Sequence, residues 1–217
     1  MNHSHESKRE TFESFLRQLA PERADELMPR FDALRDGLLD ENAKVNLFSR
    51  RTDPDDLWTL HLLDSLLPAA HVSLAGEKVL DFGSGGGLPG LPLKMLFPTC
   101  RMTLLDGRGK KIEAVKKLVK MLDLQDCDEV YSRVEQLSLR KWGQRFDTIV
   151  CRSVKLDEIT APVLLRLLKP GGRILLYKAR AWEDAELLPR HETIDISHPA
   201  VGTRTLVIAH QGRRTAR

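Results

Sequence analysis

The alternation of apolar and polar positions divides the chain into two parts. From about residue 8 to 72, apolar side chains recur at helical spacing. Phe12, Phe15, Leu16 and Leu19 mark one helix, bounded by Pro21. Leu27, Phe31, Leu34, Leu38 and Leu39 mark a second. Thr52-Asp53-Pro54 is a start signal, with proline near the first helical position. The segment it opens, 57–67, has leucines on almost every side and predicts a helix packed in a groove between subdomains. From Lys78 onward the pattern changes to short apolar runs alternating with amphipathic helices. Strands are expected at 79–82, 101–105, 129–131, 146–151 and 173–177. Helices are expected at 91–97, 110–122 and 159–168, and a turn at Lys169-Pro170-Gly171-Gly172. Two strand-like runs near 192–196 and 205–209 follow with no long helix between them.

This order predicts an α/β fold: a mostly parallel seven-stranded sheet with helices on both faces, an antiparallel edge hairpin and N-terminal helices. The hairpin favours the methyltransferase variant of the Rossmann-like architecture over the dehydrogenase one. The expected organisation is an N-terminal helical extension (1–72), a cofactor-binding domain (73–211) and a basic tail (212–217).

Composition narrows the class. Of 217 residues, 41% are hydrophobic and 30% charged, as in an ordinary folded protein rather than a disordered or fibrous one. No apolar stretch approaches the roughly 18 residues that span a bilayer. The polar start, Met1 to Glu10, lacks a signal-peptide core, so a cytoplasmic location without a membrane partner is expected. Cys100, Cys127 and Cys151 form no C-x-x-C pair, and the histidines show no metal spacing, so no metal is expected. A net charge of +3 permits a nucleic-acid partner without arguing for one.

The most informative stretch is Lys78-Val79-Leu80-Asp81-Phe82-Gly83-Ser84-Gly85-Gly86-Gly87-Leu88-Pro89-Gly90. A buried strand runs into glycines and then a helix, the form of a nucleotide-type cofactor site. Glycines let the backbone approach a ligand, and the helix start offers free N–H groups. Gly85-x-Gly87-x-x-Gly90 satisfies the dinucleotide fingerprint, so NAD is not excluded by this motif. Asp81-x-Gly83-x-Gly85-x-Gly87 is also the S-adenosylmethionine form of the loop, with an acid placed to hold the ammonium end of the methionine moiety. No Lys-Ser or Lys-Thr follows, which excludes a phosphate-gripping P-loop.

Other candidates lie at strand ends. Asp106 ends the second strand about 20 residues after the glycines, where an acid accepts hydrogen bonds from ribose hydroxyls in many nucleotide folds. Arg108 and Lys110 follow, on the edge where the cofactor must sit. Substrate contact and simple solvation are about equally good accounts of them, whereas Lys116, Lys117 and Lys120 read as a solvated face. Ser132-Arg133-Val134-Glu135, beyond the third strand, is placed against an adenine. Arg152 ends the fourth strand. It could face a phosphate, stack on a base or order the pocket; the plainer account is an internal ion pair with Asp147 or Glu135. His61 and Asp64 share one helix face and read better as packing than as acid–base chemistry.

Together these residues resemble the bacterial 16S ribosomal RNA guanine-N7 methyltransferases of the small subunit, the glucose-inhibited division protein B family. The resemblance covers roughly 45–178. It rests on Asn46-Leu47, the His61-Leu62-Leu63-Asp64-Ser65-Leu66 helix, the Asp81 to Pro92 loop, Leu104 to Lys111, Arg133-Val134-Glu135 and Phe146 to Arg152. It implies transfer of the methyl group of S-adenosylmethionine to N7 of a guanine in the decoding-centre loop of 16S rRNA. The partner is naked rRNA or the small ribosomal subunit, and the protein a monomer. The resemblance places Gly83, Leu88, Val134, Glu135 and Arg152 at the cofactor, beside Asp81, Gly85, Gly87 and Asp106. Arg108, Lys110, Arg152 and Lys155 are the candidate substrate contacts. No catalytic side chain is expected, because N7 needs no general base. Alternatives are a methyltransferase of another substrate or a nicotinamide-dependent oxidoreductase. Two departures from the family pattern are Ser153-Val154-Lys155 after Arg152 and the Asp106-Gly107-Arg108-Gly109-Lys110 turn.

Overall fold

A computed structural model describes residues 7–179, 187–188 and 190–211. The start of the polar N-terminus (1–6) and the basic tail (212–217) lie outside the described residues. The strands are β1 (Lys78–Phe82), β2 (Arg101–Asp106), β3 (Cys127–Tyr131), β4 (Phe146–Arg152), β5 (Leu168–Lys178), β6 (His191–Asp195) and β7 (Thr205–His210). They form a 7-stranded sheet in the order β3-β2-β1-β4-β5-β7-β6. Strands β1 to β5 pair in parallel, and β7 lies antiparallel between β5 and β6, which is the expected edge hairpin.

One boundary differs from expectation. Lys169-Pro170-Gly171-Gly172 is a bulge inside β5 rather than a turn before it. Phe146 pairs with Leu168 and Thr148 with Arg173, so the register jumps between them. Gly171 takes φ +80°, which costs a glycine little, and the chain leaves and rejoins the same ladder.

The helices are α1 (Lys8–Leu19), α2 (Ala24–Lys44), α3 (Asp64–Leu66), α4 (Gly90–Leu96), α5 (Gly109–Met121), α6 (Leu139–Trp142) and α7 (Thr160–Leu167). Helix α1 starts in a capping box, in which the Ser7 hydroxyl accepts from the Glu10 amide and the Glu10 carboxylate from the Ser7 amide. The strands alternate in period two. Val79, Met102, Leu104, Val150 and Leu175 join a core with Phe12, Phe31, Leu34 and Leu38 of α1 and α2 and with Val115 and Leu118 of α5. Leu80, Leu105, Ile149, Ile174 and Leu176 join a second core with Ala161, Leu164 and Leu167 of α7. The N-terminal helices thus share one core with a sheet face.

The leucine-rich segment begins as a π-helix, Leu57–Leu63, and continues as α3 and a 3₁₀ turn, Leu67–Ala70. Its wider turn spreads buried side chains around the axis. Leu57, Trp58, Leu62, Leu63, Leu66 and Leu67 are buried, and Leu60 faces out. Phe12 packs on Trp58 at a centroid distance of 5.4 Å, fixing this segment to α1. No helix among the described residues is long and apolar enough to cross a membrane.

Candidate active site

Strand order reverses between β1 and β4, the position where open α/β sheets bind ligands at their carboxyl ends. A cavity of about 710 Å³ opens there. Its floor is the glycine turn. Gly83 has φ +74° and Gly87 has φ +84°, conformations that side chains rarely adopt. The Gly83 and Ser84 amides donate to the Leu105 carbonyl at 2.9 and 3.0 Å, which seats the turn against β2. A Cβ on Gly83 would lie 2.5 Å from Val154 Cγ2, so a glycine lets the loop after β4 close over the floor.

Asp106 lines one side. Its Oδ2 accepts from the Gly85 amide at 2.9 Å and its Oδ1 from the Arg108 amide at 2.8 Å. Ser132, Arg133, Val134 and Glu135 continue this wall, with Val134 buried. Leu47, Phe48 and His61 from the N-terminal half and Arg152, Ser153, Val154 and Lys155 from the end of β4 complete the lining. Ser153 has φ +60°, an uncommon value for a non-glycine residue, at the rim.

Arg152 pairs with neither Asp147 nor Glu135. Its Nη1 donates to Asp64 Oδ2 at 2.9 Å and to the His61 carbonyl at 3.2 Å. Asp147 instead receives Lys169 and the Lys78 amide. The second Asp64 oxygen accepts from Arg204 Nε at 2.8 Å. Asp64 therefore joins the N-terminal helix to two distant segments, rather than working with His61. Burial, then the nearby Arg152 cation, pushes His61 down from 6.5 to about 4, so its imidazole is neutral.

Three expected site residues are not in the cavity wall. Asp81 is fully buried behind the turn, where its Oδ2 accepts from the Gly90 amide at 2.9 Å. It pins the glycine turn to the start of α4. Burial pushes its carboxyl up from 3.8 to about 7, partly offset by the Gly90 amide, the neighbouring Ser84 hydroxyl and Arg152. Gly87 is buried against Leu91 and Val115. Lys110 is exposed, and its neighbour Lys111 lines the cavity in its place, donating from Nζ to the Leu47 carbonyl at 3.2 Å. The remaining named residues, Gly83, Gly85, Leu88, Asp106, Val134, Glu135, Arg152, Arg108 and Lys155, all line it. Missed by sequence reasoning were Phe48, Lys111 and Val154. The only local signal for the first is Asn42, whose Oδ1 caps the Leu47 and Phe48 amides at 2.8 and 3.1 Å.

A family model described as rRNA small subunit methyltransferase G matches residues 28–211. Curated proteins named ribosomal RNA small subunit methyltransferase G are similar in sequence. That of Chlorobium phaeobacteroides is 42% identical over 142 residues, 65% of this chain and 62% of that protein. That of Chlorobaculum tepidum is 43% identical over 138 residues, 63% of this chain and 61% of that protein. The chain thus spans about six-tenths of the length of these relatives. Among solved structures, a SAM-dependent methyltransferase from Aquifex aeolicus is 20% identical with a TM-score of 0.55, covering 74% of this chain and 94% of that one. A predicted O-methyltransferase from Agrobacterium tumefaciens gives a TM-score of 0.58 at 18% identity, over 70% and 81% of the two chains. These two show a shared fold. The family match runs from the second N-terminal helix through the glycine turn to the edge hairpin, and the chain belongs to the rRNA small subunit methyltransferase G family.

Proposed function

We propose that the protein transfers the methyl group of S-adenosylmethionine to N7 of a guanine in the decoding-centre loop of 16S rRNA, as a cytoplasmic monomer. The observation that carries the reading is the cavity at the β1–β4 reversal in a chain of this family. The residues present fit the cofactor. Arg152, whose buried Nε has no hydrogen-bond partner, lines the cavity at the end of β4. A buried donor left open at a cavity wall is available to a bound molecule. Gly83, Gly85 and Leu88 form the floor, Asp106 is placed for the ribose hydroxyls, and Val134 with Glu135 for the adenine. Arg108, Lys155 and Arg133 put cations at the mouth for RNA phosphates. The 73–211 domain then holds the cofactor and the 1–72 extension closes the acceptor side.

When bound, the cofactor supplies a methyl carbon made electrophilic by its sulfonium. A guanine N7 lone pair would take that methyl group while the carbon–sulfur bonding pair went to sulfur, so the chain's own residues would have no base to supply. Positive charge ends on the base, and no proton moves. The protein's task is alignment, which can supply roughly 7–11 kcal/mol of a barrier. Neutral His61 and the Asp64-compensated Arg152 add no unpaired positive charge of their own on their side of the cavity.

The test supplies labelled S-adenosylmethionine with 16S rRNA lacking the modification, naked and as small subunits, and maps label by cleavage at N7-methylguanine. One labelled guanine is expected. Binding of S-adenosylhomocysteine with no label in either RNA would overturn the substrate, and absence of both would overturn the cofactor.

A further inference from the structure

We propose that Phe48, backed by His61, is the face on which the acceptor base stacks. The proposal rests on the function proposed above and names the part of the site that receives the base. The two rings lie 5.2 Å apart at 46° and both line the cavity. His61 adjoins Arg152 at the end of β4, through the contact from Arg152 to its carbonyl. Asp106 and Val134 lie beyond β2 and β3, on the other side of β1. One cavity therefore has a hydrogen-bonding wall suited to a nucleoside and also a pair of aromatic rings that adjoins the end of β4.

The backbone that carries Phe48 is held by side chains from two helices. Buried Asn42 accepts both the Leu47 and Phe48 amides at its Oδ1. Lys111 reaches from α5 to the Leu47 carbonyl. Leu47 sits so close to the glycine turn that a Cβ on Gly86 would lie 3.2 Å from Leu47 Cβ. Three hydrogen bonds and one close packing contact thus fix the backbone from which this half-buried ring projects, beside the glycine turn. Partial exposure of a ring on a backbone so firmly placed suits a partner that arrives from solvent. Flat apolar rings receive unpaired RNA bases without reading their edges. A base that gains positive charge at N7 is further favoured over a π face. An imidazole that stays neutral beside it adds no repulsion.

The test compares Phe48→Leu, Phe48→Ala and Phe48→Trp in full-length protein, measuring kcat and KM for 16S RNA, S-adenosylhomocysteine affinity and the thermal midpoint. Base–aromatic stacking lost on truncation predicts a fall of about tenfold or more in kcat/KM for F48L and F48A. Trp should stay close to wild type, and affinity for S-adenosylhomocysteine should not change in any variant. F48L working at the wild-type kcat/KM would overturn the stacking role. So would a loss of S-adenosylhomocysteine affinity matching the loss of activity. A wild-type protein that methylates no RNA would overturn the proposed function and this inference together.

Discussion

Asp64 holds Arg152 through a 2.9 Å contact between side chains that are only 8% and 10% exposed. Its other oxygen holds Arg204. Removing one partner of a buried pair leaves the other charge without compensation, which costs about 3–5 kcal/mol. Asp64→Asn is therefore expected to unfold at markedly lower denaturant than wild type and to bind S-adenosylhomocysteine more weakly, because Arg152 loses its anchor. Arg204→Gln, whose side chain is more exposed, should cost less in both measurements. Equal stability of Asp64→Asn and wild type in urea would count against this coupling.

Asp81 and His61 give opposing pH dependences. The Asp81 carboxyl is raised by burial from 3.8 to about 7. Across that interval the fold keeps a proton that the unfolded chain releases, so this group's contribution to stability declines as pH rises. His61 is lowered by burial from 6.5 to about 4. There the unfolded chain binds a proton that the fold refuses, so stability rises with pH from about 4 to 6.5. Each slope reaches at most about 1.4 kcal/mol per pH unit. With opposite signs over a shared window, they largely cancel in the wild type. Asp81→Asn should expose the rising slope and His61→Gln the falling one, read from urea midpoints between about pH 4 and 7. Identical slopes in all three proteins would refute the assignment.

Gly83→Ala combines an unfavourable φ of +74° with a clash against Val154. The left-handed conformation alone costs a side chain about 1–2 kcal/mol. The double variant Gly83→Ala/Val154→Ala removes the clash but not the backbone cost, so it should recover part of the lost thermal stability. Strict additivity of the two substitutions would show that these residues do not touch.

Asn42→Ala leaves the Leu47 and Phe48 amides without their acceptor. A buried unsatisfied donor costs about 1–3 kcal/mol, so a clear fall in the urea midpoint is expected. The activity loss should follow KM for RNA more than affinity for S-adenosylhomocysteine. The reverse pattern would place the Asn42 turn on the cofactor side.

The sheet was legible because buried parallel strands are nearly continuous apolar runs, as Val79 to Phe82 is. The glycine turn was legible because Gly83, Gly85 and Gly87 all carry positive φ, a demand that writes itself into residue type. Side-chain partners across the fold were not. Arg152 lies 88 residues from Asp64, and Arg204 lies 140 from it, while Asp147 and Glu135 were nearer in sequence. Asp81 looked like a ligand contact because its offset from the glycines suits one, but it faces inward to Gly90. The bulge in β5 was hidden because a Pro-Gly-Gly run reads as a chain reversal whether or not the ladder resumes afterwards. The Phe48 wall was invisible because its placement depends on Lys111, far along the chain.

The core shared by the N-terminal helices and the sheet also sets a timetable for synthesis. Helices α1 and α2 leave the ribosome before the sheet, with Leu34 and Leu38 in a core whose strands and α5 are translated later. Arg30 waits for the Leu122 carbonyl, 92 residues later, and Glu41 for Lys117, 76 residues later. Until α5 has emerged, the apolar stripe of α2 lacks its later partners, and transiently exposed stripes of this kind are prone to aggregate. Synthesis through the end of α5 is thus the point at which α2 gains Leu122, Lys117 and the core residues Val115 and Leu118.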